Sequence, residues 1–340
     1  MNRRKIIAIL IAAPMILSVG GCQKKTSSNN DEQSKVNSKV ENKDSKQEEN
    51  SNEYPFTLKT KDEQEVVFDR NPEKVISTNV NTGEQLMAMG VADKIIGTCY
   101  NNAKVAEKYR EEYESKPVLS DKAPSLEVIM ELSPDFIYGR SSAFSEKGIG
   151  THDTLSSYNI MSLSSIEGYK LGADVEDVYE DFYNLGKIFD KEEEAEEIVK
   201  EMKGRVDAIS EKVKDVEKTK VLIFDNMKDN GAYTAGNNFA SKLIERAGGE
   251  NIFKDLETTW ATVSWEEVVE RNPDYIVINN YGTTSVEDKI KELKTNPALS
   301  GLKAVQEENF VVVTLVEVFA SSRVADTIET FAKNFHPELF

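Results

Sequence analysis

Five residues of aromatic or guanidinium type have the chemistry of a binding site; four are predicted to follow strands, and Trp260 is predicted to lie in the loop before a helix. They are Arg140, Tyr233, Trp260, Tyr281 and Arg323. Flat aromatic side chains stack on extended organic ring systems. Guanidinium groups pair with carboxylate or catecholate oxygens and stay charged at every relevant pH. Because the loops after strands meet at a crevice in α/β proteins, these residues predict a pocket for a small organic ligand.

Some of these positions have a second interpretation. Tyr281 is equally compatible with a core or surface aromatic. Arg323 could instead cap a strand or pair locally, although an acidic chain needs local positive charge to hold an anionic ligand. His152 could be an axial heme ligand, but a lone histidine is more often polar surface. With His336 as the only other histidine in the sequence, a three-histidine zinc cage is excluded.

Composition and motifs narrow the class of protein. The net charge of −18 disfavours nucleic-acid binding, because the chain would repel phosphates. The sequence has no GxSxG, P-loop, HExxH or CxxC motif, so we expect a binding protein without catalytic residues, cofactor or metal site, and not an enzyme. Cys99 is expected to be a small buried hydrophobe. A surface lipoprotein with an adhesive or structural role is the remote alternative.

The N-terminus has the layout of a secretion signal with a lipid attachment site. Positive residues up to Lys5 precede an apolar run that ends at Leu17, and small residues follow. Val19-Gly20-Gly21-Cys22 resembles a bacterial lipobox, in which the cysteine thiol is acylated after cleavage of the signal. An ordinary cleaved signal with an incidental cysteine is the alternative. We therefore predict lipidation of Cys22, with acyl chains such as palmitate holding the protein at the outer face of the cell membrane.

A polar tether follows the cysteine. Residues 23–53 are rich in Lys, Ser, Asn and Glu, with Val36 and Val40 as the only aliphatic residues. Such a segment buries too little apolar surface to offset its ordering entropy, so we expect it to be disordered. The sequence therefore predicts a signal peptide at 1–21 and a lipidated linker at 22–53.

One segment of the chain occurs twice, at a constant offset of 139 residues. Each copy runs from a serine through a short helical stretch to a proline and then a strand. Each serine can cap its helix and each proline stops it. A shared helix–stop–strand unit predicts two lobes of similar build. The matched pairs are Ser125/Ser264, Glu127/Glu266, Glu131/Glu270, Pro134/Pro273, Asp135/Asp274 and Ile137/Ile276.

A long helix is predicted between the two copies. Apolar residues from Ala195 to Val213 recur at helical spacing, which predicts a helix from about Lys191 to Lys214. It is long enough to be a strut between lobes, although a helix packed within one lobe has the same periodicity. Strands that alternate with helices indicate parallel βαβ units. The predicted domains are an N-terminal lobe at 54–190, a connecting helix at 191–215 and a C-terminal lobe at 216–340.

Four stretches together resemble the siderophore, cobalamin and heme-binding class of periplasmic binding proteins, class III substrate-binding lipoproteins of ABC importers. The resemblance covers about residues 70–335. The four stretches are Pro124-Ser125-Leu126-Glu127 with Ser133-Pro134-Asp135, Trp260 to Glu266 with Asn272-Pro273-Asp274, Gly248 to Asp255, and Asn296-Pro297-Ala298-Leu299 with Leu302-Lys303-Ala304-Val305.

This resemblance implies an α/β fold with two Rossmann-like lobes and parallel sheets, joined by a single long helix, with the ligand in the cleft. It implies a monomer that delivers a metal chelate to an ABC permease. A ferric siderophore is the first candidate, cobalamin the second, and heme the third because histidine is scarce. Trp260 and Tyr233 match positions that commonly contact ligand in the family. Glu127 and Glu266 match one glutamate per lobe that pairs with permease arginines, although acids in a first helical turn also favour the helix dipole.

Overall fold

Two central β-sheets with helices packed around them make up the part of the chain that the computed structural model describes, residues 54–340. The predicted signal peptide, the Cys22 lipid site and the linker lie outside the described residues and stay predictions. No helix of the described part has both the length and the apolar character needed to cross a bilayer.

The strands of residues 54–340 form a hairpin and the two sheets. In chain order they are β1 (Phe56–Lys59), β2 (Glu65–Phe68), β3 (Val75–Thr78), β4 (Ile95–Cys99), β5 (Val118–Ser120), β6 (Phe136–Gly139), β7 (Met161–Ser164), β8 (Thr219–Lys228), β9 (Gly231–Ala235), β10 (Gly249–Asn251), β11 (Trp260–Val263), β12 (Tyr275–Asn280) and β13 (Phe310–Thr314).

The α-helices of the same residues alternate with these strands. They are α1 (Val80–Ala88), α2 (Glu107–Glu114), α3 (Leu126–Leu132), α4 (His152–Ser157), α5 (Val175–Phe189), α6 (Glu192–Lys212), α7 (Phe239–Arg246), α8 (Trp265–Arg271), α9 (Val286–Thr295), α10 (Lys303–Gln306) and α11 (Val324–Phe335).

The sheet of the N-terminal lobe is parallel throughout, in the order β5-β4-β3-β6-β7. Its central strands β3 and β6 are buried along their whole length. Such strands need apolar or small residues on both faces, as Val75, Ile76 and Phe136 show. The prediction of βαβ units is confirmed in this lobe.

The sheet of the C-terminal lobe is mixed, in the order β11-β9-β8-β12-β13 with β10 beside the start of β8. β8, β12 and β13 are parallel, whereas β9 and β11 are antiparallel to their neighbours. The prediction that Trp260 lies in a loop is wrong, because this residue begins β11. Antiparallel pairing is possible here because a short turn between β8 and β9 reverses the chain.

The repeated residues form the same contacts in both lobes. Ser125 and Ser264 cap α3 and α8 with their side chains. After each proline, the aspartate carboxylate accepts backbone N–H bonds from the start of the neighbouring strand. Asp135 accepts from Lys74 and Asp274 accepts from Lys220, each at 2.9 Å. The repeated residues therefore fix the same helix–strand junction in two separate sheets.

The predicted long helix is present as α6, and it follows a second helix, α5, that was not predicted. The two pack against each other, and α6 also packs against α7 and α11. The buried face of α6, from Ala195 to Ile209, lies in a core cluster that contains Tyr138 of the first sheet and Val277 of the second. The helix thus contributes to a core shared by both lobes.

Candidate functional site

The carboxyl ends of the parallel strands of the two sheets face each other. After β3, the Asn81 side-chain amide donates to the Ala320 carbonyl oxygen at 2.9 Å. After β6, the Arg140 guanidinium lies 3.9 Å from the centre of the Phe319 ring. Phe319 and Ala320 follow β13 of the other lobe. Since ligands of open α/β sheets bind outside the carboxyl ends of strands, these facing edges are the candidate binding site.

An aromatic pair lies at this edge of the C-terminal lobe. Tyr233 of β9 and Trp260 of β11 are stacked, with ring centres 5.8 Å apart and planes at 23°. The residue opposite Tyr233 in the ladder is Asn226, near the carboxyl end of β8. Both rings are only partly buried, and the Lys228 ammonium lies 4.9 Å from the Tyr233 ring centre. The pair thus offers a flat surface to a ligand.

Tyr281 follows β12 and is held through its backbone. The ammonium of the almost fully buried Lys289 donates to the carbonyl oxygens of Asn279 at 2.6 Å and Tyr281 at 3.2 Å. Burial disfavours the charged ammonium and lowers the pKa of Lys289. This lysine therefore positions the loop that carries Tyr281.

A buried carboxylate lies beneath the aromatic residues. Asp225, near the end of β8, accepts from the side-chain amides of Asn279 at 3.2 Å and Asn226 at 3.0 Å. Burial raises the pKa of Asp225, against the effect of these hydrogen bonds and of the Lys289 charge. Burial and the Asp225 charge in turn raise the pKa of Tyr233. Sequence reasoning missed both Asp225 and Lys289; the only signal for Asp225 was its place directly after the apolar run of β8.

Arg140 and Arg323 are both engaged by carboxylates of the N-terminal lobe. Arg140 donates to both Glu167 oxygens, from Nε at 3.1 Å and from the terminal nitrogen at 2.9 Å. Arg323 donates from Nε to Glu84 at 2.8 Å, and a terminal nitrogen donates to the other Glu84 oxygen. Arg323 therefore forms an ion pair within the protein, but its partner is a carboxylate of the other lobe and not a residue near it in the sequence.

Glu127 and Glu266 lie in the first turns of α3 and α8 and are exposed. Neither forms an ion pair within residues 54–340, and Glu267 rather than Glu266 completes the capping box with Ser264. Their equivalent positions on the two lobes leave both carboxylates available to a partner.

His152 and Cys99 have structural roles. The ring nitrogens of His152 lie 2.7 Å from the Ser162 hydroxyl and 3.1 Å from the Ser164 hydroxyl, and burial lowers the pKa of the imidazole. Both nitrogens are thus occupied. Cys99 is fully buried, as predicted, and burial raises its pKa to about 12. Within the described ranges, no group of His, Cys, Asp and Glu is arranged to hold a metal ion.

A surface cavity of about 730 Å³ lies in the N-terminal lobe, between β2, α4 and β7. Its lining includes His152 and Phe144 but none of the five predicted ligand contacts. This cavity is therefore separate from the candidate site at the facing strand ends.

Two α/β lobes with facing strand ends, and an aromatic surface on one of them, define a two-lobed ligand-binding protein. The sequence profile of the periplasmic binding protein family matches residues 75–314, and the chain belongs to this family. As the sequence resemblance indicated, it is a substrate-binding protein of an ABC transporter and not an enzyme.

Three proteins that are similar to this chain illustrate the family. An uncharacterised ABC transporter substrate-binding lipoprotein of Bacillus subtilis is 24% identical over 306 residues, 88% of this chain and 92% of the relative. A cobalamin-binding protein of Halobacterium salinarum is 25% identical over 230 residues, 66% of this chain and 58% of the relative. The crystal structure of a periplasmic binding protein from Veillonella parvula has a TM-score of 0.75 and 30% identity, covering 83% of this chain and 97% of that one.

Proposed function

We propose that this chain captures a metal chelate at the facing strand ends of its two lobes and hands it to the permease of an ABC importer. The observation that carries the proposal is the stacked, partly exposed pair Tyr233 and Trp260 beside the contact between lobes. An aromatic surface of this kind binds the broad, weakly polar face of an organic chelate. Tyr281 and the Arg140–Phe319 contact extend the candidate surface to the other lobe.

A ferric siderophore is the first candidate ligand and cobalamin the second. Both present a large organic surface around a metal that the protein need not coordinate. This suits a chain in which residues 54–340 bring together no cluster of metal-ligating side chains. The similarity to the cobalamin-binding protein of Halobacterium salinarum favours cobalamin. Heme ranks third, because both ring nitrogens of His152 are hydrogen-bonded.

The placement of the protein follows from its N-terminus. A lipid on Cys22 would hold the protein at the outer face of the membrane. Residues 23–53 would act as a linker that lets the lobes extend away from the membrane surface. The lipoprotein of Bacillus subtilis, matched along most of its length, supports this arrangement. Anchoring near the permease raises the local concentration of the loaded protein. The proposed division keeps an N-terminal lobe at 54–190, a connecting helix at 191–215 and a C-terminal lobe at 216–340.

The two tryptophans of the sequence allow a direct test of capture. Trp265 is buried in α8 against Phe224, with ring centres 6.1 Å apart, whereas Trp260 is partly exposed. In a Trp265→Phe protein, Trp260 is the sole tryptophan emitter, and its fluorescence should be quenched saturably by at least one ferric siderophore, cobalamin or heme. The Trp260→Phe protein keeps Trp265 and corrects for light absorbed by the ligand.

Two results would overturn the proposal. If no chelate quenches Trp260 or raises the melting temperature, the adhesive or structural alternative gains support. Conversion of a chelate by the purified protein would instead indicate an enzyme.

A further inference from the structure

The cationic groups built into the facing strand ends are each balanced by a carboxylate. Arg140 is paired with Glu167 and Arg323 with Glu84, and both carboxylates are buried. The buried Lys289 is balanced by the nearby Asp225, whose charge favours the ammonium form. The site therefore has positive groups but no built-in excess of positive charge.

The two arginines cannot be released to a ligand at low cost. The Glu84 side chain is fully buried and also accepts the Ala106 backbone N–H at 2.7 Å. The Glu167 side chain is only 7% exposed. Moving either guanidinium onto a ligand anion would leave a buried carboxylate without its counter-charge, which is strongly unfavourable. Each arginine thus keeps its charge committed within the protein.

The remaining charges near the aromatic pair do not change this balance. Lys228 lies over the Tyr233 ring, but its side chain is exposed, so water and salt screen its charge. The chain as a whole has a net charge of −18, and its field repels anions before contact. The π-faces of Tyr233 and Trp260 attract cations rather than anions.

We propose that the ligand is an uncharged or cationic metal chelate, such as a corrinoid or a ferric trihydroxamate, and that the site discriminates against anionic chelates. This inference rests on the proposed function, because it specifies the charge of the ligand captured at the same site. It reverses the expectation that Arg323 serves an anionic chelate, since that guanidinium is already neutralised by Glu84.

Two matched ligand pairs test the charge preference on the wild-type protein. The first pair is ferric desferrioxamine B, which carries a free ammonium group, and the same chelate with its amine succinylated. The second is cyanocobalamin, which is uncharged, and its monocarboxylic acid. Within whichever pair binds, we expect the uncharged or cationic member to bind at least about tenfold more tightly. The affinity for the uncharged cyanocobalamin should change little with added NaCl, since no net charge is neutralised.

The outcomes separate the two proposals. If neither pair binds, and heme and ferric enterobactin also fail, the proposed function is wrong. If an anionic chelate binds more tightly than its uncharged or cationic counterpart, the charge inference is wrong while the proposed function stands.

A variant tests the role of the buried acids. Glu167→Gln removes the negative partner of Arg140 and should improve binding of the anionic member about tenfold relative to the wild type. The matched control is Glu308→Gln, which removes an exposed acid at the amino end of β13, paired with Lys294, and should leave the preference unchanged. An unchanged preference in a folded Glu167→Gln protein would contradict the inference, and if that variant does not fold, the wild-type series decides.

Discussion

Arg323 of the C-terminal lobe forms a two-point ion pair with Glu84 of the N-terminal lobe, although the residues are 239 positions apart in the sequence. The Glu84 carboxylate is fully buried, and Arg323 also donates to the Lys104 carbonyl oxygen at 2.8 Å. This contact links the strand ends of both sheets beside the candidate site. It therefore couples the stability of the fold to the arrangement of the lobes.

Arg323→Ala should destabilise the protein by about 3 kcal/mol, because it leaves the Glu84 carboxylate buried without a counter-charge. Urea unfolding followed by circular dichroism measures the loss. The control is Arg205→Ala, which removes the solvent-accessible ion pairs of α6 with Asp326 and Glu329 and should cost less than about 1 kcal/mol. Equal effects of the two substitutions would show that the Glu84 pair has no special role.

Trp260→Ala should weaken chelate capture about tenfold or more, because it removes both contact area and the stacking partner of Tyr233. Trp260→Phe, which keeps an aromatic face, should lose less. Calorimetric titration is suitable because it does not depend on tryptophan emission. Trp265→Phe controls for general effects on the lobe, and wild-type affinity in Trp260→Ala would remove this residue from the site.

The fold could be predicted because its signals are local. Apolar periodicity predicted α6, and the repeat predicted equivalent junctions in two sheets, which Asp135 and Asp274 confirm. The second sheet could not be predicted in full, because the antiparallel position of β9 depends on which strand edge of β8 is free. That choice depends on tertiary packing and has no local signal.

The sequence indicated the residue types of the candidate site, but it did not indicate the ion pairs that neutralise the arginines there. Residue type and position selected the aromatics Tyr233 and Trp260, which lie in β9 and β11, whereas nothing in the sequence indicated the partners of the arginines. Glu84 and Glu167 are distant in sequence from the residues that need them, and acids are common throughout this chain. An ion pair between distant positions is visible only once the fold brings its partners together.

The double replacement Glu127→Ala with Glu266→Ala should stop uptake and leave chelate affinity unchanged, because both carboxylates are exposed and lie outside the aromatic site. Uptake by cells that carry the variant, together with calorimetric affinity of the purified protein, separates the two effects. The proposed partners are permease arginines, and loss of both charged contacts removes the complementarity needed for docking.

Glu107→Ala with Glu287→Ala is the matched control for this experiment. These residues are also exposed acids in first helical turns, one in each lobe, so net charge and helix-dipole effects change equally. The control should import normally. Normal import by the Glu127/Glu266 variant would show that the docking assignment is wrong.

Asp181 should make the protein less stable as the pH rises. Its carboxylate is buried in α5 and accepts the Ile166 backbone N–H at 3.1 Å. Burial, reinforced by the Glu167 and Asp177 charges, raises its pKa well above the ordinary value. A raised pKa in the folded state favours the protonated form. The stabilising contribution is therefore complete below the unfolded pKa of about 4 and is lost as the pH rises through the folded value.

Asp181→Asn keeps an oxygen acceptor for Ile166 but cannot ionise. The variant should match the wild type in acid and should be the more stable of the two in alkali, where the wild type must ionise a buried carboxyl group. Urea midpoints at about pH 3.5, below the unfolded pKa, and at about pH 8 measure the difference. If the stability difference between Asp181→Asn and the wild type shrinks as the pH rises, the raised pKa of Asp181 is contradicted.

Asp177 lies on the same helix, and its contribution to stability should have the opposite pH dependence. Burial raises its pKa, but hydrogen bonds from Lys170 and Lys61, at 2.6 Å each, outweigh burial and lower it. Its contribution is present above the unfolded pKa and is lost as the pH falls through the folded value. Asp177→Asn should therefore destabilise the protein at neutral pH, and this penalty should shrink in acid. The two substitutions remove one carboxylate each, so opposite pH trends exclude net charge as the cause.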